Sequence, residues 1–180
     1  MSPDLQQCSA KSSGGDLDTS PFDLIRTDPS IVSSDMETSP FPKSFQFGVS
    51  TAAFQIEGSL EQDGRGPSIW DEFAQIPGKI VDGSFPSVSC NHYADWEEDI
   101  RRLQDLEVDA YRFSLAWPRI LPEGTGQPNS KGIAFYDRLI DRLLEAGIKP
   151  WVTLYHWDLP LALHQSGCGW HNPGIVPAFT

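Results

Sequence analysis

From residue 41 onward, apolar positions recur along the chain with a regularity that the first forty residues lack. Residues 45–50 (FQFGVS) form a short aromatic and apolar run, a predicted first strand. Gly64, Gly66, Pro67, Gly78 and Gly83 then punctuate a long irregular connection. Over 92–107, Trp96, Ile100, Leu103 and Leu106 recur at spacings of four, three and three, which predicts a helix with one apolar face. Glu97, Glu98 and Asp99 lie near its beginning, where negative charge suits the helix dipole. Residues 110–115 (AYRFSL) read as a second strand, followed by a loop marked by Pro118, Pro122, Gly124, Gly126 and Pro128. A second helix is predicted over 131–146. Its buried stripe is Ile133, Tyr136, Leu139, Ile140, Leu143 and Leu144, and Gly147 is its C-cap. Residues 149–155 (KPWVTLY) are short, apolar and β-rich, a third strand.

The order is strand, helix, strand, helix, strand. Crossovers of this length imply parallel strands with helices packed outside, an α/β fold. The loops holding Gln55, Trp117 and His156 all follow strand C-termini, where a (β/α)8 barrel places its active site. A doubly wound sheet fits the same element order, and no internal repeat separates the two.

Composition narrows the functional classes. Residues 1–38 are rich in Ser, Asp, Pro and Gly and poor in aromatics. Such a segment buries too little apolar surface to offset its ordering entropy, so a disordered tail is expected there. A net charge of −12 over 180 residues argues against nucleic acid as a partner, because phosphate binding needs clustered Lys and Arg. No apolar run approaches the ~20 residues that span a bilayer, so no membrane partner is expected. The first residues lack a basic and then apolar leader. Cys8, Cys90 and Cys168 are few, odd in number and scattered, which reads as free thiols and a cytoplasmic location. Cys90-Asn91-His92 lacks a second ligand pair at zinc-like spacing, and no metal site is expected.

Residues 45–59, FQFGVSTAAFQIEGS, resemble the N-terminal signature of glycoside hydrolase family 1, the retaining β-glucosidases and their relatives. Further blocks resemble the same family in the same order: GRGPSIWD at 64–71, YRFS at 111–114, WPRILP at 117–122, TLYHWDLP at 153–160, and Gly169-Trp170. The resemblance implies a (β/α)8 barrel, of which this chain holds about the first three strands and two helices. It implies hydrolysis of β-glucosides or related small carbohydrates with retention, without metal or organic cofactor. Gln55 matches a glutamine whose amide binds glycone hydroxyls, a role suited to a group that both donates and accepts. His156 matches a histidine that hydrogen-bonds the glycone, and Trp157 lines the same pocket or packs in the core. Arg112 matches an arginine beneath the catalytic nucleophile, whose fixed charge keeps that carboxylate ionised. With no nucleophile beside it, Arg112 is expected to be a buried charge without a partner. Glu57 belongs to the signature in a structural role. Trp117 is expected near the barrel mouth, Trp70 and Trp96 in the core, and His164 and His171 at the surface.

Retaining hydrolysis needs two carboxyl groups about 5 Å apart, a nucleophile and an acid/base. The family carries them in a Thr-x-Asn-Glu-Pro block and a later Glu-Asn-Gly block, and neither occurs in this sequence. No catalytic residue is therefore assigned, and the 180-residue chain alone is expected to be inactive. The alternative is a non-catalytic sugar- or partner-binding protein on the same scaffold.

Overall fold

The computed structural model describes residues 41–180. The tail expected over 1–38, with Cys8, lies outside the described residues. Residues 41–45 close a turn of their own, the Phe45 N–H donating to the Pro42 carbonyl at 2.9 Å. Residues 46–180 form a second unit built on one sheet.

That sheet holds β1 (Gly48–Ser50), β2 (Ala110–Ser114) and β3 (Lys149–Thr153) in the order β1-β2-β3, all parallel. Gly48 stands opposite Ala110, which stands opposite Lys149. Two residues further along the sheet, Ser50, Arg112 and Trp151 share a row. The ladder starts later than residue 45 for a local reason. The Phe47 N–H donates to Asp109 Oδ2 at 2.8 Å, and the Phe47 carbonyl accepts from the Asp109 and Ala110 N–H groups. The entering chain is thus clasped by a side chain before strand pairing begins. A glycine is needed at the first paired position, because a Cβ on Gly48 would stand 2.9 Å from the Ala110 carbonyl oxygen. At the other end, the Leu115 N–H donates to the Thr153 carbonyl, and the third strand stops short of Leu154 and Tyr155.

Each crossover carries one long helix, α3 (His92–Asp105) or α5 (Ser130–Glu145). Five short helices fill the connections: α1 (Ala53–Ile56), α2 (Ile69–Gln75), α4 (Trp117–Ile120), α6 (Leu161–Gln165) and α7 (Ile175–Phe179). None is long enough to show a helical period, and none is predicted by the pattern. One still has a legible start. Ser68 and Asp71 form a capping box at α2, each side chain accepting from the other residue's backbone N–H.

The main core lies between the sheet and the two long helices. Tyr93, Ile100 and Leu103 come from α3, Tyr111 and Phe113 from β2, and Phe135, Tyr136, Leu139 and Leu143 from α5. Both predicted stripes are therefore right at their centres and too wide at their margins. Leu106 and Leu144 are more than half exposed, and Ile133 is exposed as well. Leu106 is the C-cap of α3, beyond its last helical turn, and Leu144 sits about 100° around the helix from Leu143. Trp96 is half-buried and packs against this core, while Trp70 is half-buried and lies outside it. Gly132 lets α5 approach α4: a Cβ there would lie 2.1 Å from the Arg119 carbonyl oxygen.

The exposure pattern sets a test of the core. Leu143→Ala removes a fully buried side chain and is expected to cost about 2–5 kcal/mol. Leu144→Ala, one position away, is expected to cost under about 0.5 kcal/mol. Urea unfolding of the two variants measures the difference.

Candidate functional site

The elements that follow the strand C-termini are held together from below by buried polar contacts. At the end of β1, Thr51 Oγ1 lies 2.6 Å from the Tyr111 hydroxyl. The Ala53 N–H at the start of α1 donates to Ser114 Oγ at 2.8 Å, so the last residue of β2 caps the helix that bears Gln55. Gln55 presents an exposed side chain. Two residues on, Glu57 is buried and fully engaged. Its Oε2 accepts from Arg119 Nε at 2.9 Å, and its Oε1 accepts from the Tyr136 hydroxyl at 2.6 Å. The Tyr136 oxygen in turn accepts from the Ala116 N–H at 2.7 Å.

Arg119 is 0% exposed, and its guanidinium lies 3.8 Å above the Tyr93 ring. The cation is thus matched by a carboxylate and an aromatic face. Burial, reinforced by the Glu57 charge, holds the Tyr136 hydroxyl well above its ordinary pKa, so it stays a proton donor. With both oxygens occupied, Glu57 has the structural role expected of it.

Beyond β3 the chain turns sharply. The His156 and Trp157 rings stack with centroids 4.8 Å apart and 24° between planes. Trp157 has φ +75°, the left-handed region, and is 62% exposed. It is therefore not a core residue. For a bulky side chain that backbone conformation costs of order 1–3 kcal/mol, and it persists only where surrounding contacts hold it. Those contacts are visible on the C-terminal side. The Ile69 N–H donates to the Leu159 carbonyl at 2.9 Å, the Leu161 N–H donates to the Pro67 carbonyl at 2.8 Å, and Ser68 bridges Pro160. The partner segment is itself fixed by the buried Arg65–Asp71 ion pair, 2.9 Å between Nη2 and Oδ2.

Between the turn and this anchor sits Asp158, 1% exposed. Neither of its carboxylate oxygens has a partner at full hydrogen-bonding geometry among the described residues. Burial pushes its pKa up to about 7. The nearby backbone N–H groups of Asp158 and His156 and the Arg65 charge offset part of that rise, and the Glu57 charge adds to it.

Arg112 departs from expectation. It is exposed, not buried, and its Nε donates to Thr153 Oγ1 at 2.8 Å. Strand alternation explains this. Tyr111 and Phe113 point to the helices, while Arg112 lies on the opposite face in a row with the exposed Trp151. The structure thus brings His156 onto Trp157 and Arg112 onto Thr153. Among the described residues, no hydrogen bond or ring contact joins Gln55 to either group. Trp117 is buried in a second core with Leu159, Leu163 and Ile175, and its ring meets Tyr155, Trp170 and Phe179. His164 and His171 are exposed, as expected. Cys90 and Cys168 are free thiols. Sequence reasoning assigned nothing to Arg119, Ser114 or Asp158. A charged residue inside the apolar, proline-containing block WPRILP was the available signal for Arg119.

Residues 37–180 match glycosyl hydrolase family 1 along their whole length. The chain belongs to this family. β-Glucosidase A of Thermotoga maritima is 54% identical over 144 residues, which are 80% of this chain and 32% of that protein. β-Glucosidase 40 of Arabidopsis thaliana is 47% identical over 152 residues, 84% of this chain and 30% of that protein. The crystal structure of a rice β-glucosidase superposes with a TM-score of 0.75 at 52% identity, covering 77% of this chain and 29% of that one. The T. maritima β-glucosidase in complex with deoxynojirimycin superposes with a TM-score of 0.74. The chain thus spans about a third of the length of the curated relatives it matches. Its three strands and their helices are part of the family's (β/α)8 barrel, and the doubly wound alternative falls away.

Asp158 predicts a pH signature. Its folded pKa is raised from 3.8 to about 7, so the native state favours the protonated form. The associated stability is fully present below about pH 4 and is lost as pH rises through about 7. Asp158→Asn removes this titration. The melting temperature of the native chain should therefore fall relative to Asp158→Asn as pH is raised from about 4 to about 7, a comparison that cancels the other carboxylates. Parallel thermal melts across that range check it.

Proposed function

We propose that this chain is the glycone-binding side of a retaining β-glucosidase, a hydrolase of β-glucosides or related small carbohydrates. Gln55 and His156 hydrogen-bond the sugar hydroxyls, Trp157 lines the pocket, and Arg112 supports the nucleophile. The observation that carries the reading is the half-buried imidazole of His156 stacked on the exposed Trp157 just after β3. It is supported by the exposed Gln55 amide after β1, in a chain whose residues 37–180 match the family. An amide and an imidazole can each donate and accept, as neighbouring ring hydroxyls require, and an indole face covers apolar C–H surface. The exposed Arg112 guanidinium is free on one side to meet an anionic carboxylate. In this reading residues 39–180 are the barrel part and 1–38 a tail. The sparse cysteines favour a cytoplasmic location.

The reading makes no catalytic assignment within these 180 residues, because both oxygens of Glu57 are engaged and Asp158 is buried. The decisive experiment is to sequence the transcript past the codon for Thr180 and assay the encoded protein on p-nitrophenyl β-D-glucoside. A frame that continues into Asn-Glu-Pro and Glu-Asn-Gly blocks, with turnover by the longer product and none by residues 1–180, is the expected result. A stop after Thr180 overturns the hydrolase reading. In that case, saturable glucose binding by the chain, weakened about tenfold or more by Gln55→Ala or His156→Ala, identifies a non-catalytic sugar binder.

A further inference from the structure

Gln55 sits on α1, a single helical turn of four residues. A helix this short has little stability of its own, because its first turn fixes several dihedrals for one hydrogen bond. Its first N–H groups also lack partners within the helix. The residues at its start supply none. Ala52 at the N-cap and Ala53 at the first helical position carry no side-chain acceptor, and both are buried. The Ala53 N–H is met from another strand instead. Ser114 Oγ, at the C-terminal end of β2, accepts it at 2.8 Å across 61 residues of sequence. Ser114 is itself buried, so water does not compete for this bond.

Ser114 lies two residues after Arg112, on the same face of β2. That face reaches to both sides. Arg112 Nε donates to Thr153 Oγ1 on β3, and Ser114 Oγ accepts from α1 beyond β1. The far end of α1 is closed by the Glu57 N–H, which donates to the Ala53 carbonyl at 2.9 Å. Glu57 is in turn tied to Arg119 and Tyr136. Ala53 thus makes two bonds, to Ser114 through its N–H and to Glu57 through its carbonyl, and Gln55 lies between Ala53 and Glu57.

We propose that Ser114 is the positioning residue for Gln55: its hydroxyl oxygen caps α1 from the end of β2 and so holds the Gln55 amide in one direction. Ser114 acts through Gln55 and needs no sugar contact of its own. The proposal rests on the reading that Gln55 binds the glycone, but its first consequence, a closed turn at α1, is independent of any sugar.

The two levels are tested separately on the full 180-residue chain. Ser114→Ala removes the acceptor oxygen. Ser114→Cys keeps the side chain and replaces the oxygen by a weak acceptor. Amide hydrogen exchange followed by NMR reads the Glu57 N–H, which closes the turn without touching Ser114. Ligand-observed NMR with D-glucose reads binding, in a double-mutant cycle with Gln55→Ala. Ser114→Ala is expected to speed exchange at Glu57 at least about tenfold more than at Leu139 and Leu143 in the core. It is expected to weaken glucose binding about tenfold, the size of effect that one lost buried hydrogen bond produces. On a Gln55→Ala background it is expected to change binding by less than about twofold, because a residue that acts through Gln55 then has nothing to position. Ser114→Cys is expected to follow Ser114→Ala, and the proposal is judged on it if Ser114→Ala fails to fold. Exchange at Glu57 that rises no more than in the core overturns the proposal. An equal loss of binding on the two backgrounds, the mark of a general loosening, also overturns it. If Gln55→Ala alone abolishes binding, the Glu57 exchange decides. Selectively faster Glu57 exchange, in a chain whose native form binds no glucose, supports the positioning of α1 and defeats the sugar-binding reading instead.

Discussion

The buried pair of Glu57 and Arg119 is the contact on which the mouth of this structure depends. Two opposite charges removed from water are stabilising only when their remaining donors and acceptors are also matched. Here the carboxylate is completed by the Tyr136 hydroxyl, while the guanidinium is covered by the Tyr93 ring and donates from Nη2 to the Gly58 carbonyl, leaving Nη1 without a hydrogen-bond partner among the described residues. The four groups come from the end of α1, from α4, from α5 and from α3, so one polar cluster fastens four segments. Helix α1 is four residues long and has no persistence of its own. Its position is set by Ser114 at its beginning and by Glu57 at its end. The direction in which the Gln55 amide faces is therefore inherited from an ion pair that no sugar touches.

A similar division holds on the other side of the sheet. Trp157 sits in a conformation that its side chain disfavours, and the cost is met by contacts deeper in the molecule. The Pro67–Asp71 segment carries both the capping box of α2 and the Arg65–Asp71 pair, and it also provides the backbone partners of Leu159 and Leu161. The GRGPSIWD and HWDLP blocks are more than eighty residues apart in sequence, yet they form one unit. Neither has a periodic pattern that would announce the contact.

That difference explains what the sequence made legible. The long helices and β2 were readable because periodicity records burial on one face, and α3, α5 and β2 each have one face against the core. The margins failed where geometry rather than pattern decides. Leu106 is apolar but lies past the end of its helix, and Leu144 is apolar but lies one step around from the stripe. The short helices were invisible because four to seven residues complete no more than about two turns. At the candidate site, the structural role of Glu57 was legible through its motif neighbours, and the same neighbours singled out Gln55 and His156, which lie after β1 and β3. Arg112 was placed on the right strand and given the wrong environment. A motif transmits the identity of a residue, but its burial depends on what covers that face, and Arg112 lies opposite the helix-packed face. Asp158 was missed because a carboxylate between an exposed Trp and an apolar Leu looks like solvent-facing text until its burial is known.

The arrangement separates grip from chemistry. Two carboxylates beneath the candidate site are occupied with structure, Glu57 with Arg119 and Tyr136 and Asp71 with Arg65 and Ser68, and a third, Asp158, is buried without a hydrogen-bond partner among the described residues. What faces outward is an amide, an imidazole, an indole and a guanidinium, groups that recognise hydroxyls, a sugar face and an anion. Groups of this kind accelerate a reaction only when they hold the transition state more tightly than the ground state. In retaining glycoside hydrolysis that condition is met by hydroxyl contacts that tighten as the ring distorts between two carboxyl groups. Under the proposed function, rigidity supplied from below Gln55 and His156 is of direct use, because a hydrogen bond can tighten selectively only if its protein end does not move with the sugar. The buried ion pairs lie beneath the outward-facing groups, each engaged with its own structural partners.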